Sequence, residues 1–285
     1  QLVRVTEENL RRDLRQLERI TESNRVGALS LADVYRQQSQ VAQDELSLIK
    51  ARNESDKAKA DLIALIGLDV GKEYVIADST LGAVPEPNPG APGAGEFGEL
   101  LRRALAARPD YLGGAEDLQA ASSSVTSARA GYFPSVSAFA GHYLSNAELG
   151  RLSGNRTTSW GLNLRWSLFD GFQTNQAIQS AGASRRTAEI LLEQAERDIA
   201  VELRKALLDL EAARKAVDVS QKGLVSAVQD RTIAEERYNL GAGTLLDLLQ
   251  GNAGLVAAQA NGVNAAHDLL IARRNLEYVL GERSY

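Results

Sequence analysis

The chain has 285 residues, a net charge of −5 with both signs interspersed, no Cys and only 5% aromatic residues. The charge pattern offers no basic patch for nucleic acid, and the lack of Cys excludes a disulfide framework or a thiolate metal site. No run of apolar residues is long enough for a transmembrane helix, and the Ala-rich apolar fraction favours closely packed helices over a thick globular core.

Residues 1–23 read as the tail of a helix with Leu10, Leu14, Leu17 and Ile20 on one side. The chain therefore opens mid-helix, as expected of a mature fragment whose upstream half is missing or removed. A turn over Asn24–Leu29 leads to Ser30, a good N-cap. A second helix is predicted from Leu31 to Ile66, with Gly67 as its stop. Residues 68–98 are irregular, and from Gly82 to Gly98 they are rich in Pro and Gly, the composition of a surface linker. A helix follows from Glu99 to Gly131, broken near Arg108-Pro109-Asp110 because an interior Pro removes a hydrogen bond and clashes with the preceding turn.

Pro134 introduces a different period. Ser135–Tyr143 reads as one strand and Ser159–Leu168 as a stronger one, with Ser145–Thr158 as the hairpin loop. In the second strand Trp160, Leu162, Leu164, Trp166 and Leu168 share one face, and the opposite face is small and polar apart from Arg165. Ten tilted strand residues span about 25 Å, the height of an outer-membrane apolar band. Two readings of that face stand: contact with lipid, or half-burial on a soluble protein core. A hairpin is not stable alone, so further strands must come from elsewhere, and a closed ring of identical chains would supply them.

After Asp170-Gly171 a helix is predicted from Thr174 to Tyr238, roughly 100 Å long at 1.5 Å per residue. Leu203, Leu207, Leu210, Val217, Leu224 and Val228 form a coiled-coil seam along it. A last helix runs from Leu245 to Leu280, with Leu245, Leu248, Leu269, Ala272, Leu276 and Val279 inward. Residues 22–67 align without a gap with residues 236–281, pairing Gly27 with Gly241, Leu31 with Leu245, Asp33 with Asp247 and Gly67 with Gly281. A repeat unit this long reads as a duplicated half-protein rather than a solenoid.

His142 and His267 are the only histidines and lack the partners of a metal site. No nucleophile–base spacing or phosphate loop suggests an enzyme, and no cofactor is expected.

Four motifs in this order resemble the TolC family of outer membrane efflux proteins. They are Arg108-Pro109-Asp110, the run Ala128–Pro134, the run Trp160–Gly171 ending in Phe-Asp-Gly, and Arg237–Gly241 followed by Leu245–Leu249. The resemblance implies a mainly α fold with a β-hairpin. Very long antiparallel coiled-coil helices would form a periplasmic tunnel, and the strands would join a trimeric transmembrane β-barrel in the outer membrane. The implied organisation is a partial first-repeat helical hairpin (1–67), an equatorial linker (68–98), a helix leading to the barrel (99–133), a transmembrane β-hairpin (134–170) and a second-repeat hairpin (171–285). It also implies a homotrimeric exit duct of an efflux pump or type I secretion system, opened by an iris-like movement. Partners would be a periplasmic adaptor, an inner-membrane transporter and outer-membrane lipid.

By the same resemblance Asp247 matches the first position of an acidic gate ring, Gln250 its second position, and Asp33 the equivalent of Asp247 in the other hairpin. Three convergent Asp247 carboxylates would attract cations and raise one another's pKa. Tyr238 matches a residue linking neighbouring hairpins. Val26-Gly27-Ala28 and Leu240-Gly241-Ala242 match tip segments that meet the adaptor. The rival reading from residues alone is a soluble, elongated coiled-coil scaffold with a small packed β-hairpin.

Overall fold

The computed structural model describes residues 1–76, 97–144 and 156–282. It contains six α-helices and one hairpin within those residues: α1 Leu2–Arg25, α2 Leu31–Leu65, α3 Phe97–Ala107, α4 Pro109–Arg129, β1 Ser135–Leu144, β2 Arg156–Arg165, α5 Gln173–Asn239 and α6 Leu245–Val279. Two compact units result. One comprises Gln1–Gly95 with Lys205–Glu277, and the other Glu96–Arg204 with Tyr278–Tyr285. α5 contributes to both.

In the first unit, α1 and α2 form an antiparallel hairpin whose buried positions follow the helical period: Ile20 from α1, and Val34, Val41 and Leu48 from α2. Leu207, Leu210 and Ala213 of α5 and Leu245, Leu248, Leu255 and Leu276 of α6 are buried too. The expected seam of α5 is only partly closed. Leu203, Leu207 and Leu210 are buried, whereas Val217 and Leu224 are half-buried and Val228 is exposed.

In the second unit the predicted helix break is real. Arg108 has an extended backbone (φ −77°, ψ 121°), as a residue before Pro prefers, and Pro109 starts α4 at its first position. Arg108 binds Asp110 through two parallel bonds (Nε to Oδ1 3.0 Å, Nη2 to Oδ2 2.6 Å) and reaches Glu202 of α5 through Nη1 (2.6 Å). The motif thus both ends α3 and ties the break to a neighbouring helix. A Cβ on Gly131 would lie 2.8 Å from the Thr174 hydroxyl, so the end of α4 meets the start of α5 at a point that excludes a side chain.

β1 and β2 pair antiparallel from Ser135↔Arg165 to Leu144↔Arg156 as a two-stranded sheet. The second strand therefore lies three residues earlier than expected, at 156–165 rather than 159–168. Trp166 and Leu168 fall beyond it, because their partners on β1 would be Pro134 and its predecessors, and Pro has no N–H to give the ladder. Arg156 opens β2 instead of lying in the loop. The rest of the predicted loop (145–155) and much of the predicted linker (77–96) lie outside the described residues. Below the strands, Gly171 (φ 66°) and Phe172 (φ 69°) both adopt left-handed conformations, and Asp170 accepts from the Thr174 amide at 2.8 Å, starting α5.

Candidate functional site

The duplicated half-protein gives two helical turns with the same hydrogen bonds. At the first, Gly27 (φ 75°) donates to the Asn24 carbonyl and Ala28 to that of Ser23. At the second, Gly241 (φ 72°) donates to Tyr238 and Ala242 to Arg237. Each donor and acceptor is displaced by the same 214 residues. The left-handed Gly at each C-terminus is what the αL cap requires. Each turn then leaves an apolar side chain in solvent: Val26 is 75% exposed and Leu240 82%.

The next helix starts in the same way both times. Ser30 accepts from the Asp33 amide (3.2 Å) while its hydroxyl donates to the Asp33 carboxylate (2.8 Å). Thr244 accepts from the Asp247 amide (3.2 Å), and its own amide and hydroxyl both donate to Asp247 Oδ2 at 2.9 Å. Asp247 is therefore the N3 member of a capping box, in the form with Asp in place of Glu, and Asp33 holds the same position with its carboxylate on the Ser30 hydroxyl instead of the backbone amide. The cap at Thr244 was legible from the repeat, since it aligns with Ser30. In the single chain the Thr244 amide, then its hydroxyl, hold the Asp247 carboxyl below the usual range, with a smaller contribution from Arg237.

Asp247 and Gln250 open into one polar cleft of about 240 Å³ with Asp230 and Arg237. The family resemblance includes Arg237 only as part of the tip motif and does not include Asp230, and it places neither beside the gate candidates. Asp230 and Arg237 lie seven residues apart on α5, two helical turns, and so share a face. Tyr238 is elsewhere. Its ring packs against the buried cluster of Ile20, Val34 and Leu245, together with Leu17, Leu29 and Leu249. Tyr238 thereby joins one hairpin to the other within the chain. Its buried hydroxyl has no partner among the described residues, and burial, followed by the charge of Asp33, raises its pKa.

The hairpin strands carry the other candidate surface. Trp160, Leu162 and Leu164 share a face with Val136, Ala138 and Ala140, their direct partners. Trp160 is 79% exposed and Leu162 74%. The described residues of the chain do not cover this apolar face. On the opposite face, expected to be small and polar, Phe139 lies over Gly161, where a Cβ would come within 2.7 Å of its ring. Trp166, past the end of β2, donates its indole N–H to the Tyr132 carbonyl at 3.2 Å. Leu168 is exposed in the following turn. His142 pairs with Thr158 across the ladder, Nδ1 to Oγ1 2.8 Å. Among the described residues no helix is long and apolar enough to cross a membrane.

A model of the outer membrane efflux protein family matches residues 100–282. The chain belongs to that family. Among its relatives, Protein CyaE of Bordetella pertussis is 32% identical over 250 residues, covering 86% of this chain and 51% of that protein. The outer membrane protein TolC of Escherichia coli is 22% identical over 282 residues, covering 94% and 55%. A membrane protein of Pseudomonas aeruginosa shares the fold with a TM-score of 0.80 at 22% identity, covering 98% of this chain and 63% of that one. The chain spans about half the length of the curated relatives it matches. The TolC-type efflux family supplies the long helical tunnel fold and the outer-membrane location. It also decides against a soluble scaffold.

Proposed function

We propose that this chain is part of an outer-membrane exit duct for efflux or type I secretion, with no chemistry of its own. The observation that carries the reading is the uncovered apolar face of Trp160, Leu162 and Leu164 on a two-stranded sheet with open edges, in a chain of the efflux family. Such a hairpin needs neighbours to close a barrel, and a homotrimer would provide them by cyclic symmetry. The face of β2 that includes Trp160 would then meet lipid. Trp166 and Leu168, just outside the ladder, would sit at the membrane boundary, a usual position for Trp.

The tips of the two helical hairpins would form the closed end. Asp247, with Gln250 and Asp230 beside it, would attract cations where three copies converge, and Asp33 would hold the matching place on the other hairpin. Three Asp247 carboxylates on one axis would push their pKa upward, against the downward pull of Thr244 seen in the single chain. Opening would be an iris-like sliding of packed helices, which the Tyr238 contact between hairpins would oppose. Val26-Gly27-Ala28 and Leu240-Gly241-Ala242 would receive a periplasmic adaptor, itself bridged to an inner-membrane transporter that supplies the energy. The exposed Val26 and Leu240 side chains and the open backbone at each Gly support this.

The test is membrane fractionation of the full-length protein, followed by sizing in detergent. A detergent-dependent trimer in the outer membrane is the expected result. A monomer, or a species that needs no detergent, would overturn the duct.

A further inference from the structure

A cluster of buried polar groups lies between α1, α2 and α6, away from the helical turns. Asp13 is 1% exposed and Gln37 0%, and Asp44, Asn9 and Asn252 are buried with them. Asp13 is held by donors on one oxygen only. Gln37 Nε2 reaches its carbonyl (3.1 Å) and Oδ1 (3.4 Å), and Asn252 Nδ2 reaches the same Oδ1 (3.3 Å). Asp44 is similar, its Oδ1 accepting from Gln40 at 3.0 Å. The second oxygen of each carboxyl, Oδ2, is buried and has no donor among the described residues, and Gln37 Oε1 is a third such acceptor. Asp44 lies within hydrogen-bonding reach of Asp13 and of Asn9.

Two buried carboxylates in contact repel, and an unsatisfied buried charge is costly. One proton removes both problems: it cancels one charge and gives a donor to the pair. The charged groups around the site bias where it resides. Arg12 of α1 interacts with Asp13, and Arg231 of α5, paired with Glu235 at 2.8 Å, donates to Asn252 at 3.4 Å. Glu8 lies near Arg12 on the outer side of α1, and α6 presents the uncharged Asn252. Arg12 thus stands on the Asp13 side of the pair, and Asp44 forms no ion pair with a cation among the described residues. Burial, followed by contact with Asp13, raises the Asp44 pKa to about 7.

The internal repeat shows that this cluster is no requirement of the helical hairpin. At the same 214-residue offset, Gln37 and Asp44 correspond to Gly251 and Ala258, and Asp13, just upstream of the repeat, falls opposite Ala227. There Gly251 lets α6 approach α5 closely: an added Cβ would lie 3.2 Å from the Arg231 Cα. One hairpin closes on small residues and the other on acids.

We propose that Asp13 and Asp44 form a buried proton-binding site that latches α1 to α2 while one proton is shared between them, and loosens that hairpin when the proton leaves. The device does not depend on the duct reading.

Two measurements on the full-length protein in detergent test it. The first is an infrared titration for a protonated carboxyl. A carbonyl band present at pH 6 should vanish with a midpoint near 7 and be absent from Asp44→Asn. The second is the melting temperature against pH. Between the unfolded pKa near 4 and the folded value near 7 the native state holds a proton that the unfolded chain has released, so stability falls as pH rises through that window and levels off above it. Asp44→Asn should flatten this slope. If Asp44→Asn does not fold, the wild-type infrared titration still decides. No protonated-carboxyl band at pH 6, or a band and slope unchanged in a folded Asp44→Asn, would overturn the proposal.

Discussion

Thr244 and Asp247 hold each other by three hydrogen bonds across the first turn of α6, and Ser30 and Asp33 share the two that involve the hydroxyl at the start of α2. The carboxylate proposed for the gate is therefore fixed in direction by its own helix start. A side chain oriented in this way presents its charge at a constant place through bonds made within the chain itself.

This separates two roles for Asp247. Asp247→Asn should keep much of the cap, since the Thr244 hydroxyl still accepts from the backbone amide, while removing the charge. In planar bilayers the variant should show raised conductance or weakened block by divalent cations. Unchanged conductance and block would remove Asp247 from the gate.

The caps themselves should matter equally at both ends of the repeat. Thr244→Ala and Ser30→Ala should each cost about 1 kcal/mol, the usual loss for an N-cap. Chemical denaturation of the purified protein checks this, and the pair should add because the two sites share no partners.

Gly241 and Gly27 occupy the left-handed region with open space around them. Ala at either position should destabilise by about 1 kcal/mol through backbone strain alone, without a clash. Gly241→Trp should additionally abolish export while trimers persist. Normal export by this variant would place the adaptor contact elsewhere.

The Arg108 fork predicts a pH effect of definite sign. Its bonds hold the Asp110 carboxyl below the usual range. That contribution is fully present above the ordinary carboxylate pKa and is lost as pH falls through the depressed value. Arg108→Gln should therefore lose about 1–2 kcal/mol near neutral pH, as expected for exposed charge-assisted bonds, and the gap to wild type should shrink in acid. Denaturant midpoints at neutral and low pH measure it.

Trp160 and Trp166 are the only tryptophans, so fluorescence reports on the hairpin directly. In reconstituted protein, lipids brominated along the acyl chain should quench Trp160 more than Trp166. Single Trp→Phe variants at each position assign the signal, and equal, negligible quenching would remove the β2 face from lipid.

Much of this architecture is legible in the residues because its signals are local. Ser30, Gly67, Pro109 and Gly241 act through their own φ angles or side chains, and the structure places helix ends within about two residues of them. The repeat carried the same information twice. The end of β2 was not legible from β2 itself. The alternation of Trp160, Leu162, Leu164, Trp166 and Leu168 continues past Arg165, and the ladder stops there because of Pro134 on the other strand. Register is a property of a pair. The upper half of the α5 seam failed for a related reason: Val228 has the right period, but period fixes a face and not what covers it. Asp13 and Asp44 are further from view still, because sequence shows two acids 31 residues apart and only packing shows that they meet.

Among the described residues, the β1–β2 ladder leaves the outer N–H and C=O groups of both strands free of sheet partners. In water those groups are solvated at little cost, but in hydrocarbon each would cost several kcal/mol. If the hairpin enters a bilayer as proposed, its entry and the filling of its two edges by neighbouring strands would be one coupled equilibrium. Dilution that separates the neighbours would then also drive the hairpin out of the lipid, and the concentration of chains would set the occupancy of the membrane.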